Sequence, residues 1–218
     1  MLTRSAHIVA ILTALSAIAG LIVQFTVSLA DNPTALATVW SMLRYFTILT
    51  NLLVGLAYSR MVLAQQPLPQ TWSAALALWI GIVGVIYWTL LDDPDTPRAG
   101  ADWLANHLLH TLTPLLAVVW WVVFAAKDGL RFVHAGIWLV WPLGYAFYGV
   151  GRGLIDGKYP YFFIDLGVLG WGGLMTWVIM LAAGFGIAAL VEIALARALS
   201  RPALPRPEES APRDPQSR

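Results

Sequence analysis

Trp103-Leu104-Ala105-Asn106-His107-Leu108-Leu109-His110-Thr111-Leu112-Thr113-Pro114 opens an apolar run that continues without a charged residue to Ala126. An α-helix needs ~20 such residues to cross the hydrocarbon core of a bilayer. Two histidines inside a run of this kind are costly in lipid. Ionisable groups at that depth face a protein interior or a water-filled cavity and mark function.

Composition extends this reading to the whole chain. Of 218 residues, 59% are hydrophobic and 11% are charged, against about 25% charged in soluble domains; the mean hydropathy is +0.71. The class is an integral membrane protein. A net charge of +1 with scattered basic residues gives no phosphate-tracking patch, so nucleic acid is not an expected partner. The chain has no cysteine, which excludes a disulfide framework and any thiolate nucleophile or metal ligand.

Six apolar runs are predicted as membrane helices: His7–Leu29, Thr38–Leu63, Trp72–Leu91, Trp103–Ala126, Phe132–Val150 and Ile164–Leu199. Turn formers separate them at Asp31-Asn32-Pro33, at Gln65 to Pro69, at Asp92 to Pro97 and at Lys127-Asp128-Gly129. The first run is too long for the ~7–15-residue core of a secretory signal, so it is read as a retained helix. Arg4, Arg60, Lys127, Arg131, Arg197 and the C-terminal arginines fall on one side, against Arg98, Arg152 and Lys158 on the other. The positive-inside rule then puts both termini in the cytoplasm. Residues 1–200 form an all-α, six-helix transmembrane domain on this reading, and 201–218, rich in Pro, Glu and Arg, a disordered tail.

Polar residues inside the runs fall on two stripes. Trp40, Arg44, Thr47 and Asn51 step by four, three and four residues, which places them on one face of a continuous helix. Trp103, His107, His110 and Pro114 form a second stripe, with Asn106 and Thr113 beside it. At ~1.5 Å per residue, Thr47 and His110 lie at similar depth, so a hydroxyl and an imidazole can meet. Tyr145, Tyr148, Tyr159 and Tyr161 are candidates for lining an entrance, and Arg152 with Asp165 for an ion pair at its mouth. The tryptophans read as interfacial belt and packing.

The stretches Arg44-Tyr45-Phe46-Thr47-Ile48-Leu49-Thr50-Asn51 and Asn106-His107-Leu108-Leu109-His110-Thr111 resemble the paired motifs of the androgen-induced protein family. That family includes the androgen-dependent TFPI-regulating protein and bacterial six-helix relatives; Tyr159-Pro160-Tyr161-Phe162-Phe163-Ile164-Asp165 is similar to the bacterial branch. The resemblance implies a membrane threonine hydrolase acting on fatty acid esters of hydroxy fatty acids. It also implies that Thr47 is the nucleophile, that His110 is the base, that no cofactor is needed, and that the location is a bacterial inner membrane. Here Arg44 stands where animal members tend to have Lys, and an extra Thr50 precedes Asn51.

The chemistry of those residue types is coherent. A threonine hydroxyl needs an adjacent base to attack an ester carbonyl, and an imidazole can take the proton and return it to the leaving alkoxide. Asn106, Asn51 and Asp102 are each candidates to orient His110. Asn51, His107 or a backbone N–H freed near Pro114 could serve the oxyanion, and Arg44 could bind a lipid carboxylate. Two other classes stay open: a metal or haem oxidoreductase using His107 and His110 at i, i+3, and a small proton-coupled transporter lined by Arg44, Asn51 and the histidines.

Overall fold

The computed structural model describes residues 1–96 and 98–200; the tail from Arg201 to Arg218 and Pro97 lie outside the described residues. Among those described, every regular element is a helix. Five segments are long and apolar enough to cross a membrane: Arg4–Leu29, Phe46–Ala64, Gln70–Leu91, Gly100–Phe124 and Leu166–Leu199. Large apolar side chains such as Leu15, Ile22, Val123, Phe147 and Ile179 stand exposed on their outer faces, the arrangement of an integral membrane protein, whose solvent is lipid.

The first helix, α1 (Arg4–Leu29), turns a stripe of small residues inward: Ala6, Ala10, Thr13, Ala14, Ala17 and Gly20 are all buried. Small side chains let helices approach closely where no hydrophobic drive exists between helix and lipid. Gly20 shows the limit of that approach, because a Cβ there would lie 2.7 Å from Leu109 Cδ2. The segment 100–124 packs on this stripe. It consists of α5 (Gly100–His107), a wide π turn (Leu108–Leu112) and α6 (Thr113–Phe124). Ser16 and Thr113 bond across the contact at 2.9 Å, and Trp120 Nε1 donates to the Ala6 carbonyl at 3.0 Å. Helix α4 (Gln70–Ile86) also ends in a π turn, Tyr87–Leu91.

The run expected as one helix from Thr38 to Leu63 is broken. It forms α2 (Ala35–Met42) and α3 (Phe46–Ala64), with Tyr45 extended between them (φ −92°, ψ 133°). A break exposes backbone carbonyls, which lipid cannot satisfy. One face of α8 (Val140–Asp156) satisfies them. Arg152 donates to the Trp40 carbonyl at 2.8 Å, Tyr148 to that of Leu43 at 3.0 Å and Tyr145 to that of Arg44 at 2.8 Å. Residues 145, 148 and 152 share a helix face, and Asp156 extends the stripe. Its carboxylate grips the Arg44 guanidinium with two bonds, at 2.9 and 2.7 Å, while Arg44 also donates to the Lys158 carbonyl.

The expected span Phe132–Val150 is interrupted as well, at Leu139, between α7 (Val133–Trp138) and α8. The last helix, α9 (Leu166–Leu199), carries one non-helical residue, Gly170, at φ +62°, a conformation that glycine adopts without a Cβ penalty. The expected Arg152–Asp165 ion pair does not form. Arg152 instead lies over the Trp40 ring, 3.9 Å from its centroid, and near Asp156, while Asp165 caps α9 by accepting from Val168 N–H at 3.2 Å.

The Arg44 guanidinium holds the Asp156 carboxyl down, at about 2. A carboxyl depressed in the folded state stabilises the fold above its unfolded value near 3.8, and that contribution is lost as pH falls toward 2. Asp156→Asn should therefore cost about 1–3 kcal/mol at neutral pH by leaving the 6%-exposed Arg44 without its partner. The difference from wild type should shrink steadily below pH 4 in unfolding experiments on detergent-solubilised protein. A pH-independent difference would contradict the clamp.

Candidate active site

Thr47 is the second residue of α3. A membrane-helix threonine usually bonds the carbonyl four residues back, but that carbonyl, Leu43, lies beyond the break and is taken by Tyr148. The hydroxyl points instead to His110, with Oγ1 to Nε2 at 3.2 Å. His110 Nδ1 lies 3.1 Å from the Asn106 carbonyl oxygen. A carbonyl only accepts, so Nδ1 carries the proton and Nε2 offers its lone pair to Thr47. Hydroxyl, imidazole and orienting acceptor thus stand in the order that base-assisted attack requires.

The orienting group is backbone. Neither Asp102 nor the Asn51 or Asn106 side chain bonds the imidazole; Asp102 pairs with Arg98 at 2.8 Å. The π turn explains why the Asn51 amide is unavailable. Thr113 N–H reaches back five residues to the Leu108 carbonyl, which leaves the Leu109 carbonyl without its α-helical donor. Its donor in the π register would be Pro114, which has no N–H. Asn51 Nδ2 supplies the missing bond at 3.2 Å and also donates to the Thr47 carbonyl at 2.9 Å. Asn51 is therefore a brace between the two helices, not the oxyanion donor considered from sequence. The group freed by Pro114 is likewise a carbonyl rather than an N–H.

The two histidines diverge across the π turn. His107 Nδ1 faces the Trp103 carbonyl at 3.0 Å. Its ring stacks on Trp103 (centroids 4.1 Å) and meets the edge of Trp88 (5.6 Å), and it lines neither cavity at the site. Among the described residues, no group of three or more His, Asp or Glu side chains is placed to hold a metal.

Two features were not singled out from sequence. Tyr87 stacks on His110, with ring centroids 3.9 Å apart and planes 22° apart. Its hydroxyl donates to Asp92 at 3.1 Å and accepts from Arg98 Nε at 3.1 Å, which anchors the ring to the loop after α4. Nothing periodic in the sequence points to that tyrosine. Gly84 lets α4 approach the π turn, since a Cβ there would lie 2.9 Å from the His110 carbonyl oxygen. Tyr161, a candidate entrance residue, stands beside Thr47 and lines both cavities there.

Those cavities differ in character. A polar chamber of about 480 Å³ reaches from Thr47, His110 and Asn106 to Asp31, Arg98 and Asp102. A narrow apolar slot, 60 Å³, runs the other way between Phe46, Val83, Leu143, Phe163, Leu181 and Phe185. Thr47, Leu91 and Tyr161 line both, so the hydroxyl sits where a polar and an apolar space meet. Arg44, expected to bind a carboxylate, is in neither; its guanidinium is committed to Asp156. The chain matches no protein-family model, no curated protein and no solved structure.

Gly84→Ala should destabilise the protein by about 1–3 kcal/mol, because the new methyl meets backbone that cannot yield. Gly81→Ala, whose Cβ would meet only the end of the Val118 side chain at 3.3 Å, should cost clearly less. Equal losses in a thermal-unfolding comparison would remove the argument for a constrained His110 turn.

Proposed function

We propose that the protein is an intramembrane lipid ester hydrolase with Thr47 as nucleophile and His110 as general base. The observation that carries this reading is the Oγ1 to Nε2 contact of 3.2 Å at the junction of a polar and an apolar cavity. An acyl ester is amphiphilic. With its chain in the slot and its alcohol portion in the chamber, its carbonyl carbon comes to Thr47.

In the first half-reaction the Thr47 hydroxyl proton passes to His110 Nε2 as Oγ1 bonds to the carbonyl carbon. The tetrahedral oxyanion collapses, the bond to the alcohol oxygen breaks, and that oxygen takes the proton from Nε2. A water then gives a proton to Nε2 and its hydroxide attacks the acyl-threonine; the fatty acid leaves and Oγ1 recovers the proton. The Asn106 carbonyl holds the imidazole and stabilises the imidazolium between these steps, the part a carboxylate plays in serine hydrolases. For the oxyanion, the best-placed donors are the first N–H groups of α3. They lie at the positive end of the helix dipole, and Tyr45 gives them no side-chain cap.

The resemblance to the androgen-induced protein family supports the same roles for Thr47 and His110. We place both termini in the cytoplasm and count Phe132–Val150, α7 with most of α8, as one further span, six in all, in keeping with the lysine and arginine distribution; in a bacterium the membrane would be the inner one. The chamber then opens on the outer side. A metal or haem oxidoreductase is disfavoured by the divergence of His107 and His110, and a proton-coupled transporter by the pairing of Arg44 with Asp156 and of Asn51 with two carbonyls.

Purified protein should react with a fluorophosphonate probe at Thr47. Labelling should vanish in Thr47→Ala and persist in Thr47→Ser, and His110→Ala should lower the ester hydrolysis rate by roughly 10²–10⁴-fold. Full esterase activity in Thr47→Ala would eliminate the mechanism.

A further inference from the structure

Resting on the hydrolase reading, we infer that the alcohol portion of the substrate is an uncharged, hydroxyl-bearing group, and that esters whose alcohol carries a carboxylate, including the esters of hydroxy fatty acids that the resemblance implies, are rejected. The charge around the chamber is the ground for this. Its lining holds two carboxylates, Asp31 and Asp102, and one guanidinium, Arg98, a formal sum of −1. That guanidinium is already engaged, by Asp102 through Nη1 at 2.8 Å and by the Tyr87 hydroxyl through Nε at 3.1 Å. The nearby cations cannot replace it. Arg44 is gripped by Asp156, Arg152 is spent on the Trp40 carbonyl and ring, and Lys158 is exposed; none of the three lines the chamber.

The neutral lining points the same way. The Gln24 amide nitrogen is bonded to the Ser28 hydroxyl at 3.0 Å, and that of Asn32 to the Ser28 carbonyl at 2.8 Å. Each residue keeps its amide oxygen as an acceptor, besides one further N–H. With Asp31 these make a set of acceptors. A hydroxyl group can donate to them, whereas a carboxylate can only accept. Asp92, Asp93 and Asp95, in the adjoining loop, add negative potential at the same end of the molecule. An anionic alcohol portion would give up its hydration and meet like charge with no free cation among the described residues of the lining. The chamber's 480 Å³ lies within the range of small-molecule sites, roughly 300–1,000 Å³, and suits a compact polyol such as glycerol.

The test uses the full chain in neutral phosphatidylcholine nanodiscs, at a pH where a fatty carboxylate is ionised. Three oleoyl esters are compared: of glycerol, of hydroxystearamide and of hydroxystearic acid, the last two differing only in charge. For wild type, kcat/KM should be higher for the amide than for the acid by on the order of tenfold or more, as expected for a like charge held a few ångströms away. The double variant Asp31→Asn/Asp102→Asn turns the lining from −1 to +1 and releases Arg98, so the preference should vanish or invert. Non-hydrolysable ether analogues of the same pair, read by thermal stabilisation, report binding without turnover. Equal stabilisation of wild type by the acidic and neutral ethers, or a preference that the charge variant leaves unmoved, overturns the inference. Absence of both labelling at Thr47 and hydrolysis would overturn the hydrolase reading alone, since the ether measurements still decide which head group the chamber accepts.

Discussion

A single missing hydrogen organises the site. Pro114 has no N–H, and in lipid a backbone carbonyl left without a donor costs several kcal/mol. The segment around it widens into the Leu108–Leu112 π turn, and the uncovered Leu109 carbonyl is met by Asn51 from α3. That bond fixes α3 against the π turn at the level of Thr47. In the same segment the Asn106 carbonyl accepts from His110 Nδ1. The positions of Thr47, His110 and the carbonyl behind His110 all follow from how the two helices complete one another's backbone.

The second constraint is the break before α3. A continuous helix through Tyr45 would give Thr47 an i−4 carbonyl of its own, and its hydroxyl would have a structural partner. The extended residue instead puts Thr47 in the first turn of a helix, and Tyr148 takes the Leu43 carbonyl. The stripe of Tyr145, Tyr148, Arg152 and Asp156 on α8 makes that break tolerable in a membrane, and it removes Arg44 from the chamber. Stability and site chemistry are thereby coupled, because the groups that stabilise the interruption also decide which charges a ligand meets. Two π turns, at Tyr87–Leu91 and Leu108–Leu112, face each other across the Tyr87 to His110 stack, and irregular turns of this kind recur at functional sites.

Much of this was legible in the sequence. Hydropathy gives the membrane class and places four of the six runs within about three residues, because a bilayer requires long apolar stretches whatever the packing; the breaks within the other two it does not show. The pairing of Thr47 with His110 was also readable, from matched depth. The reading failed for Arg44. Its spacing from Thr47 was that of an unbroken helix, and nothing local announces the interruption at Tyr45, which depends on donors a hundred residues away on α8. Asn51, read as a donor to the oxyanion or an orienter of His110, is a brace, and only the π turn shows which carbonyl it braces.

The amino-acid sequence by itself determined the lipid environment, the helical class and the two polar segments that hold Thr47 and His110, since these rest on composition and local period. Tertiary structure alone decided the register between those segments. It selected the Asn106 carbonyl as the group that holds His110, committed Arg44 to Asp156, and joined a polar chamber to an apolar slot at Thr47. The physical reason is that hydrogen bonds between helices, unlike hydropathy, depend on where the backbone leaves its groups unpaired, and that is known only once the helices have met.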